Sequence, residues 1–155
     1  MFPKRKKSKN VEIHFANTED IACLAALSAD FERELLPGIP SELMGFFGET
    51  HPHYFEKLVS EKTGFILISR EDTGEISGFA ALEFHDTCNL ESLYVVPQYR
   101  KMGRGRALIS HAKRVAAIKG YAVMTLHVYS ANEGARLLYE KCGFHGSRTM
   151  MSTEL

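Results

Sequence analysis

The sequence predicts a single α/β domain whose mixed β-sheet carries helices on its flanks. The length of 155 residues suits one domain with a core of its own. Strand patterns separated by short turns run through residues 64–96, which is typical of an antiparallel meander. A strand, a helix and a strand then follow in turn, and such a crossover joins parallel neighbours. We therefore expect residues 11–155 to form the domain and residues 1–10 to be a basic, disordered leader.

The N-terminal part of the domain is predicted to be a strand followed by a long helix. Residues 11–16 alternate apolar and polar side chains, as a half-buried strand does. Asn17 offers a side-chain oxygen that can cap a helix start, and residues 18–35 form an amphipathic pattern. The apolar positions of this pattern recur at helical spacing: Ile21, Leu24, Leu27, Phe31 and Leu35. The segment 41–62 is less regular and predicts one or two short helices.

Three strand patterns make up the antiparallel meander. They cover residues 64–70, 76–84 and 89–96. Gly74 lies in the first turn between them, where a glycine adopts positive φ without steric cost. Pro97 ends the third strand, because proline has no N–H group to donate to a ladder.

The C-terminal part alternates helices and strands. Residues 104–119 predict a helix that ends at Gly120, a typical position for glycine after a helix. A strand over 121–129 and a helix over 131–141 follow, and a last strand is expected near 149–153. The strand after the first of these helices should be the parallel neighbour of the last meander strand, so the sheet combines an antiparallel meander with one parallel pair.

The formal net charge is zero, yet the charges are segregated along the chain. Five basic residues lie in 4–9, 16 acidic and 4 basic residues lie in 10–91, and 10 basic and 3 acidic residues lie in 92–155. This asymmetry predicts two unlike ligand-facing surfaces. The acidic surface would attract a cation, and the basic surface would hold a polyanion.

Composition excludes several classes of protein. Hydrophobic content of 45% and charged content of 25% are ordinary for a soluble globular chain. No apolar run reaches the ~20 residues that span a bilayer, so we expect no membrane partner. Cys23, Cys88 and Cys142 form no C-x-x-C pair, and we expect reduced thiols, no metal site and a cytoplasmic location. We also expect the basic leader to be solvated rather than to bind nucleic acid.

The segment 93–108, LYVVPQYRKMGRGRAL, carries the strongest functional signal. Gly103 and Gly105 allow the backbone to turn tightly and to approach a ligand, and the following helix start leaves N–H groups without intrahelical partners. Basic side chains cluster in the same place: Arg100, Lys101, Arg104 and Arg106. The segment therefore predicts a phosphate or pyrophosphate site. Leu108 replaces the third glycine of a Rossmann fingerprint, and the G-K-[ST] of a Walker loop is absent.

This segment resembles motif A of the GNAT superfamily of N-acetyltransferases, [QR]-x-x-G-x-[GA], which reads here as Arg100-x-x-Gly103-x-Gly105. The preceding LYVVP is similar to the family's fourth strand. A second block over 132–144, NEGARLLYEKCGF, is similar to the family's N-x-x-A-x-x-L-Y-E-K-x-G-F. The resemblance implies a GNAT-like fold, acetyl-CoA as co-substrate and an acetyltransferase activity.

The resemblance also implies where acetyl-CoA binds. The pyrophosphate would bind the loop at 100–106, and the pantetheine arm would run along the end of the preceding strand, which splays from its neighbour. A backbone N–H around Leu93 to Val95 would polarise the thioester carbonyl. Tyr139 would protonate the departing thiolate, with a core aromatic as its alternative role. The implied cofactor-binding set is Leu93, Tyr94, Val95, Val96, Arg100, Lys101, Met102, Gly103, Arg104, Gly105, Arg106, Asn132 and Tyr139.

The acceptor amine must lose a proton before it attacks the thioester. An amine of pKa ~10.4 pays about 4.6 kcal/mol for this at pH 7, so a general base helps. Glu91 is the first candidate, because the two-residue period of a strand places it on one face with Asn89 and Leu93. Glu83 is the reserve candidate, and a chain of water molecules would make a protein base unnecessary.

We expect direct transfer to a primary amine in a ternary complex. The acidic half of the chain favours a cationic small molecule as acceptor. A protein lysine or N-terminal amine remains an alternative acceptor, and a CoA-binding regulatory module without turnover remains an alternative function. The 11 residues after Phe144 are few for a closing hairpin, so we expect an open acceptor pocket or one completed by a second subunit of a homodimer.

Overall fold

The computed structural model describes residues 11–35, 37 and 52–153. Within them, five strands form one sheet in chain order: β1 (Glu12–Phe15), β2 (Gly64–Arg70), β3 (Ile76–Phe84), β4 (Cys88–Val95) and β5 (Met124–Leu126). The helices are α1 (Ile21–Leu35), α2 (Pro52–Glu61), α3 (Arg104–Ile118) and α4 (Glu133–Lys141). The expected leader and most of the irregular segment after α1 lie outside the described residues.

The sheet has the predicted mixed topology. β1, β2, β3 and β4 pair antiparallel in turn, and β4 and β5 pair parallel. The crossover between β4 and β5 is α3, as the strand, helix and strand pattern predicts. The α/β fold class and the antiparallel meander are thus confirmed.

Helices cover both faces of the sheet and divide the core into two clusters. On one face, α1 and α2 bury Leu24 and Phe55 against Phe79 of β3. On the other face, α3 buries Leu108 against Leu82 of β3, together with other residues of β2 and β4. Because both faces are covered, six of the seven residues of β2 are buried and the strand is almost continuously apolar.

The predicted cap of the first helix is present. The side chain of Asn17 accepts a hydrogen bond from the N–H of Glu19 at 2.8 Å, and the Asp20 carboxylate accepts one from the N–H of Asn17 at 3.0 Å. This capping box begins a short 3-10 turn over Thr18–Asp20, and the α-helix itself starts at Ile21.

Two C-terminal predictions are wrong. The strand expected over 121–129 is only three residues long, because pairing with β4 stops at Leu126 and leaves the side chain of Val128 36% exposed. The strand expected near 149–153 is absent from these described residues. Met150 and Met151 are 69% and 89% exposed, so their apolar side chains have no sheet face to cover. Among the described residues, no helix has the length and apolarity to cross a membrane.

Candidate active site

The parallel strands β4 and β5 pair over three residues and then separate. The paired residues are Cys88 with Met124, Asn89 with Thr125, and Leu90 with Leu126. Beyond Leu90, the edge of β4 that faces β5 has no strand partner within the described part of the chain. The resemblance predicted this splayed pair, and the structure contains it.

The open edge of β4 presents the backbone groups of two residues. The N–H of Val96 donates to the carbonyl of Ser77 at the β3 side, at 2.9 Å. Because backbone groups alternate between the two edges of a strand, those of Leu93 and Val95 point toward the gap, and the Val95 carbonyl accepts a hydrogen bond from Arg100 Nε at 2.8 Å. The backbone groups of Tyr94 and Val96, two members of the implied cofactor-binding set, point to β3 instead. The Tyr94 side chain is 4% exposed and donates its hydroxyl to Glu34 at 3.0 Å.

A β-bulge lies where the two strands part. The register of β4 against β3 passes from Ser92 opposite Ala81 to Leu90 opposite Leu82, so Glu91 has no partner of its own. The bulge shifts the side-chain alternation, and both Leu90 and Leu93 pack in the α3 cluster. The prediction that Glu91 shares a face with Leu93 is therefore wrong, because the two-residue period does not continue through a bulge.

Glu91 belongs to a group of titratable side chains at the end of β3 and the start of β4. One side-chain nitrogen or oxygen atom of each of Glu83, His85 and Glu91 lies within 4.8 Å of those of the other two. His85 Nε2 is 3.0 Å from the Glu83 carboxylate. Burial and the nearby charge of Glu83 raise the pKa of the Tyr54 hydroxyl, which approaches the group from α2. The acidic group thus faces the side of the sheet that α1 and α2 cover.

The pKa of Glu91 reflects opposing influences. Burial raises it first, and the like charge of Glu83 raises it further. A hydrogen bond from Asn89 opposes this increase, as do the nearby rings of His127 and His85. A carboxylate with a raised pKa is a better match to an amine proton than an ordinary one, which suits it to act as a general base.

Asn89 connects Glu91 to the paired part of β4 and β5. Its side chain is buried, with 8% of the residue exposed, and its Nδ2 donates to the Glu91 carboxylate. The Thr125 hydroxyl donates to Asn89 Oδ1 at 3.0 Å, and the hydroxyls of Thr87 and Thr125 are 2.9 Å apart. Four polar side chains therefore form one chain of hydrogen bonds across the junction.

The glycine-rich loop after β4 ends at the N-terminus of α3. Gly103 caps this helix with φ of +83°, in the left-handed region that favours glycine. The first N–H groups of α3 have no intrahelical acceptors and lie at the positive end of the helix dipole. The loop can therefore bind an anion such as a pyrophosphate through its backbone.

Two of the four basic side chains near this loop are engaged by carboxylates. Arg104 is 3% exposed and forms two hydrogen bonds with Glu71, of 3.0 and 2.7 Å, which lower the pKa of that carboxyl. The guanidinium of Arg104 is therefore buried against Glu71 rather than exposed at the surface of the loop. Arg100 pairs with Glu34 at 2.8 and 2.6 Å. The side chains of Lys101 and Arg106 form no ion pair with any described residue.

Helix α4 packs across the end of β4 and carries the second motif. A Cβ at Gly105 would lie 3.0 Å from Leu138 and 3.8 Å from Val95, so glycine permits this close packing. Asn132 caps α4 by accepting from the N–H of Ala135 at 3.2 Å, which leaves its amide Nδ2 available as a donor. Met102 is 37% exposed at the tip of the loop.

Tyr139 lies on α4, beside Leu138. Its ring packs edge-on against Phe144, with 5.8 Å between ring centroids. Burial raises the pKa of Tyr139 to about 12, so the phenol is protonated at neutral pH. Among the described residues, no hydrogen bond contributes to the pKa of this hydroxyl, so its proton is available to a ligand.

Sequence reasoning missed the bulge and the role of Asn89. The bulge has a signal in hindsight, because the apolar residues Leu90 and Leu93 are three positions apart within one strand rather than two. The hydrogen bonds of Asn89 have no such signal, since they depend on Thr125 from a strand that is distant in sequence.

Comparisons with known proteins agree with this geometry. The sequence profile of the Acetyltransferase (GNAT) family matches residues 29–144. The uncharacterized N-acetyltransferase YhfO of Bacillus subtilis strain 168 is 31% identical over 141 residues, which cover 86% of this chain and 89% of that protein. The [ribosomal protein bS18]-alanine N-acetyltransferase of Escherichia coli K12 is 30% identical over 103 residues, which cover 63% of this chain and 70% of that protein.

Solved structures share the fold. The PaiA N-acetyltransferase of Thermoplasma acidophilum, solved in complex with coenzyme A, superposes with a TM-score of 0.76 at 21% identity, covering 92% of this chain and 94% of that one. The ribosomal-protein-alanine N-acetyltransferase of Brucella melitensis superposes with a TM-score of 0.71 at 21% identity, covering 95% and 100%.

Proposed function

The chain belongs to the GNAT family of acetyltransferases, and from this premise we propose that it moves the acetyl group of acetyl-CoA directly to a primary amine. The observation that carries the proposal is the open edge of β4, which leads straight into the glycine-capped N-terminus of α3. A donor-rich edge followed by an anion-binding helix start matches a ligand with an amide-bearing arm and a pyrophosphate.

The residues present fit acetyl-CoA, which would supply the thioester. Backbone N–H groups after Gly103 would bind the pyrophosphate, and the exposed cations of Lys101 and Arg106 would add to the attraction. The backbone groups of Leu93 and the N–H of Val95 would pair with the pantetheine amides as an added strand. The free Nδ2 of Asn132 would donate a further hydrogen bond.

In this proposal Glu91 takes the proton of the acceptor amine. Its carboxylate lies at the bulge where β4 and β5 part, near the backbone groups that would polarise the thioester carbonyl. Its raised pKa reduces the mismatch with an amine of pKa ~10.4. Glu83 provides a second negative charge that would attract the acceptor in its cationic form.

Tyr139 would supply a proton to the departing sulfur. With a pKa of about 12 the phenol is a reliable hydrogen-bond donor, but full transfer to a thiolate of pKa about 8.5 would cost about 5 kcal/mol. We therefore assign Tyr139 a hydrogen bond that strengthens as negative charge develops on the sulfur, with the proton transferred as the thiol leaves and replaced on the phenolate from solvent.

The acidic group favours a cationic small molecule as acceptor. A second candidate acceptor is a protein N-terminal amine, because a relative that is 30% identical is named as an alanine N-acetyltransferase of ribosomal protein bS18. Both acceptors present a primary amine, but the protein acceptor also requires a site with room for the peptide that carries the amine.

The test is amine-dependent release of free CoA thiol, with the acetylated product identified by mass spectrometry. The panel should contain aliphatic diamines, neutral and anionic amines of matched size, and a peptide with an N-terminal alanine. We expect the fastest release with the diamines. Preferential acetylation of the anionic amines would contradict the proposed acceptor class, and preference for the peptide would favour the second candidate.

A further inference from the structure

Asn89 is a buried polar side chain that the proposed chemistry does not use directly. It lies at the second of the three paired positions of β4 and β5, directly opposite Thr125. Its amide is hydrogen-bonded at both ends, to Glu91 through Nδ2 and to Thr125 through Oδ1. A buried amide satisfied on both sides is held in one orientation.

The direction of these hydrogen bonds follows from the chemistry of the groups. An ionised carboxylate only accepts, so the Nδ2 of Asn89 must face Glu91 and its Oδ1 must face Thr125. The Thr125 hydroxyl must then donate to Oδ1, and its oxygen is free to accept from the Thr87 hydroxyl at 2.9 Å. Each donor is matched by an acceptor, and the chain ends on Glu91.

Glu91 needs such a restraint. As the extra residue of a bulge it lacks a cross-strand partner, and part of the residue is open to solvent. The like charge of Glu83 repels it and favours rotation toward solvent. The bond from Asn89 opposes that rotation and keeps the carboxylate at the open end of the gap.

We propose that Asn89 is a positioning residue, which holds the carboxylate of Glu91 in place for the acceptor amine while Thr125 and Thr87 hold Asn89. This inference rests on the proposed function, because it assigns Glu91 to proton transfer. It also links the base, through Thr125, to the paired residues of β4 and β5.

The charged and titratable groups that face Glu91 come from several elements. They are Glu83 of β3, His85 of the following turn, His127 after β5 and Tyr54 of α2. The bond from Asn89 lowers the pKa of Glu91, so its loss raises that pKa. Glu91 is then protonated over a wider acidic range, and the acidic limb of kcat/KM moves to higher pH.

Two variants test this assignment. Thr125→Val keeps the size of the side chain but removes the donor to Asn89, and Asn89→Leu removes the donor to Glu91 without adding a charge. We expect kcat/KM in the acidic range to fall about tenfold in Asn89→Leu and less in Thr125→Val, with recovery as the pH rises. Ser77→Ala is the matched control, because it removes a buried hydroxyl pair with Ser69 (2.9 Å) from the same sheet and should leave the pH profile unchanged.

A direct measurement of the Glu91 pKa tests the positioning role of Asn89 independently of the proposed function. Carbon-13 NMR titration of the Glu91 carboxyl in the full chain, with EDTA present to exclude metal ions, should give a higher pKa in Thr125→Val than in the wild type. An unchanged Glu91 pKa, or an equal loss of activity at every pH, would overturn the positioning role. Wild-type turnover in Glu91→Gln would instead overturn the role of Glu91 as base, whatever the titration shows.

Discussion

The two halves of the candidate site are built in different ways. The cofactor half consists mainly of backbone: the open edge of β4, the left-handed Gly103 and the N-terminus of α3. The acceptor half consists of side chains that a bulge brings together, chiefly Glu83, Glu91 and Asn89. Backbone sites depend on a pattern of glycine and strand ends that a sequence displays, whereas the side-chain group depends on contacts between distant segments.

Some of the charges that are segregated along the chain form ion pairs with one another, and others remain to attract a ligand. Arg104 pairs with Glu71, and Arg100 pairs with Glu34, so two cations of the basic half are neutralised by carboxylates of the acidic half. These pairs link the loop to the body of the domain. The positive charge left to attract a polyanion comes from Lys101, Arg106 and the helix dipole.

Glu91→Gln is expected to give the largest difference between its effect on the acceptor half and its effect on the cofactor half. We expect kcat to fall ~10²–10⁴-fold, because the base is lost, while acetyl-CoA affinity is unchanged. Glu83→Gln is the matched variant, and it should mainly raise KM for the amine. Steady-state thiol release with acetyl-CoA and the amine varied in turn measures both effects. A greater loss of kcat in Glu83→Gln would transfer the role of base to Glu83.

The next largest effect should distinguish the buried cation, Arg104, from the exposed cation, Arg106. Arg104→Met leaves Glu71 partly buried without its partner, and we expect the free energy of unfolding to fall by about 3 kcal/mol. Arg106→Met should leave stability unchanged and weaken acetyl-CoA binding by a few-fold, more at low salt than at high salt. Urea denaturation and calorimetry measure the two quantities. Equal stability of the two variants would contradict the structural role of Arg104.

Tyr139→Phe probes the point where the two halves meet. We expect kcat to fall about 30-fold with little change in acetyl-CoA affinity, since the hydroxyl acts on the departing sulfur. Tyr121→Phe is a suitable control, because that ring packs in the same core cluster and stacks on Phe84 at 5.3 Å. An unchanged kcat in Tyr139→Phe would assign the ring to packing alone.

The smallest effect concerns the backbone of the loop. Gly103→Ala places a Cβ in open space but at φ of +83°, which costs ~1–2 kcal/mol and should weaken acetyl-CoA binding about tenfold. Gly74→Ala is closely matched, with φ of +86° and the same open space, in the turn between β2 and β3. It should reduce stability similarly and leave affinity unchanged. Equal affinity of both variants would remove Gly103 from the cofactor site.

Much of the fold and of the cofactor half could be predicted from the sequence. Strand patterns separated by short turns in 64–96 predicted the meander, and the glycines at 103 and 105 predicted the loop. The face of Glu91 was predicted wrongly, because alternation assumes a strand without a bulge. The burial of Arg104 was also missed, since its partner Glu71 lies 33 positions away. The homodimer stays a prediction.

The central claim is that cofactor binding and proton transfer reside in separable halves of one site. Calorimetric titration of acetyl-CoA into the wild type and into Glu91→Gln tests it most directly. We expect one-to-one binding with the same affinity in both proteins, although only the wild type turns over rapidly. Absence of binding to the wild type, or loss of binding in Glu91→Gln, would contradict it.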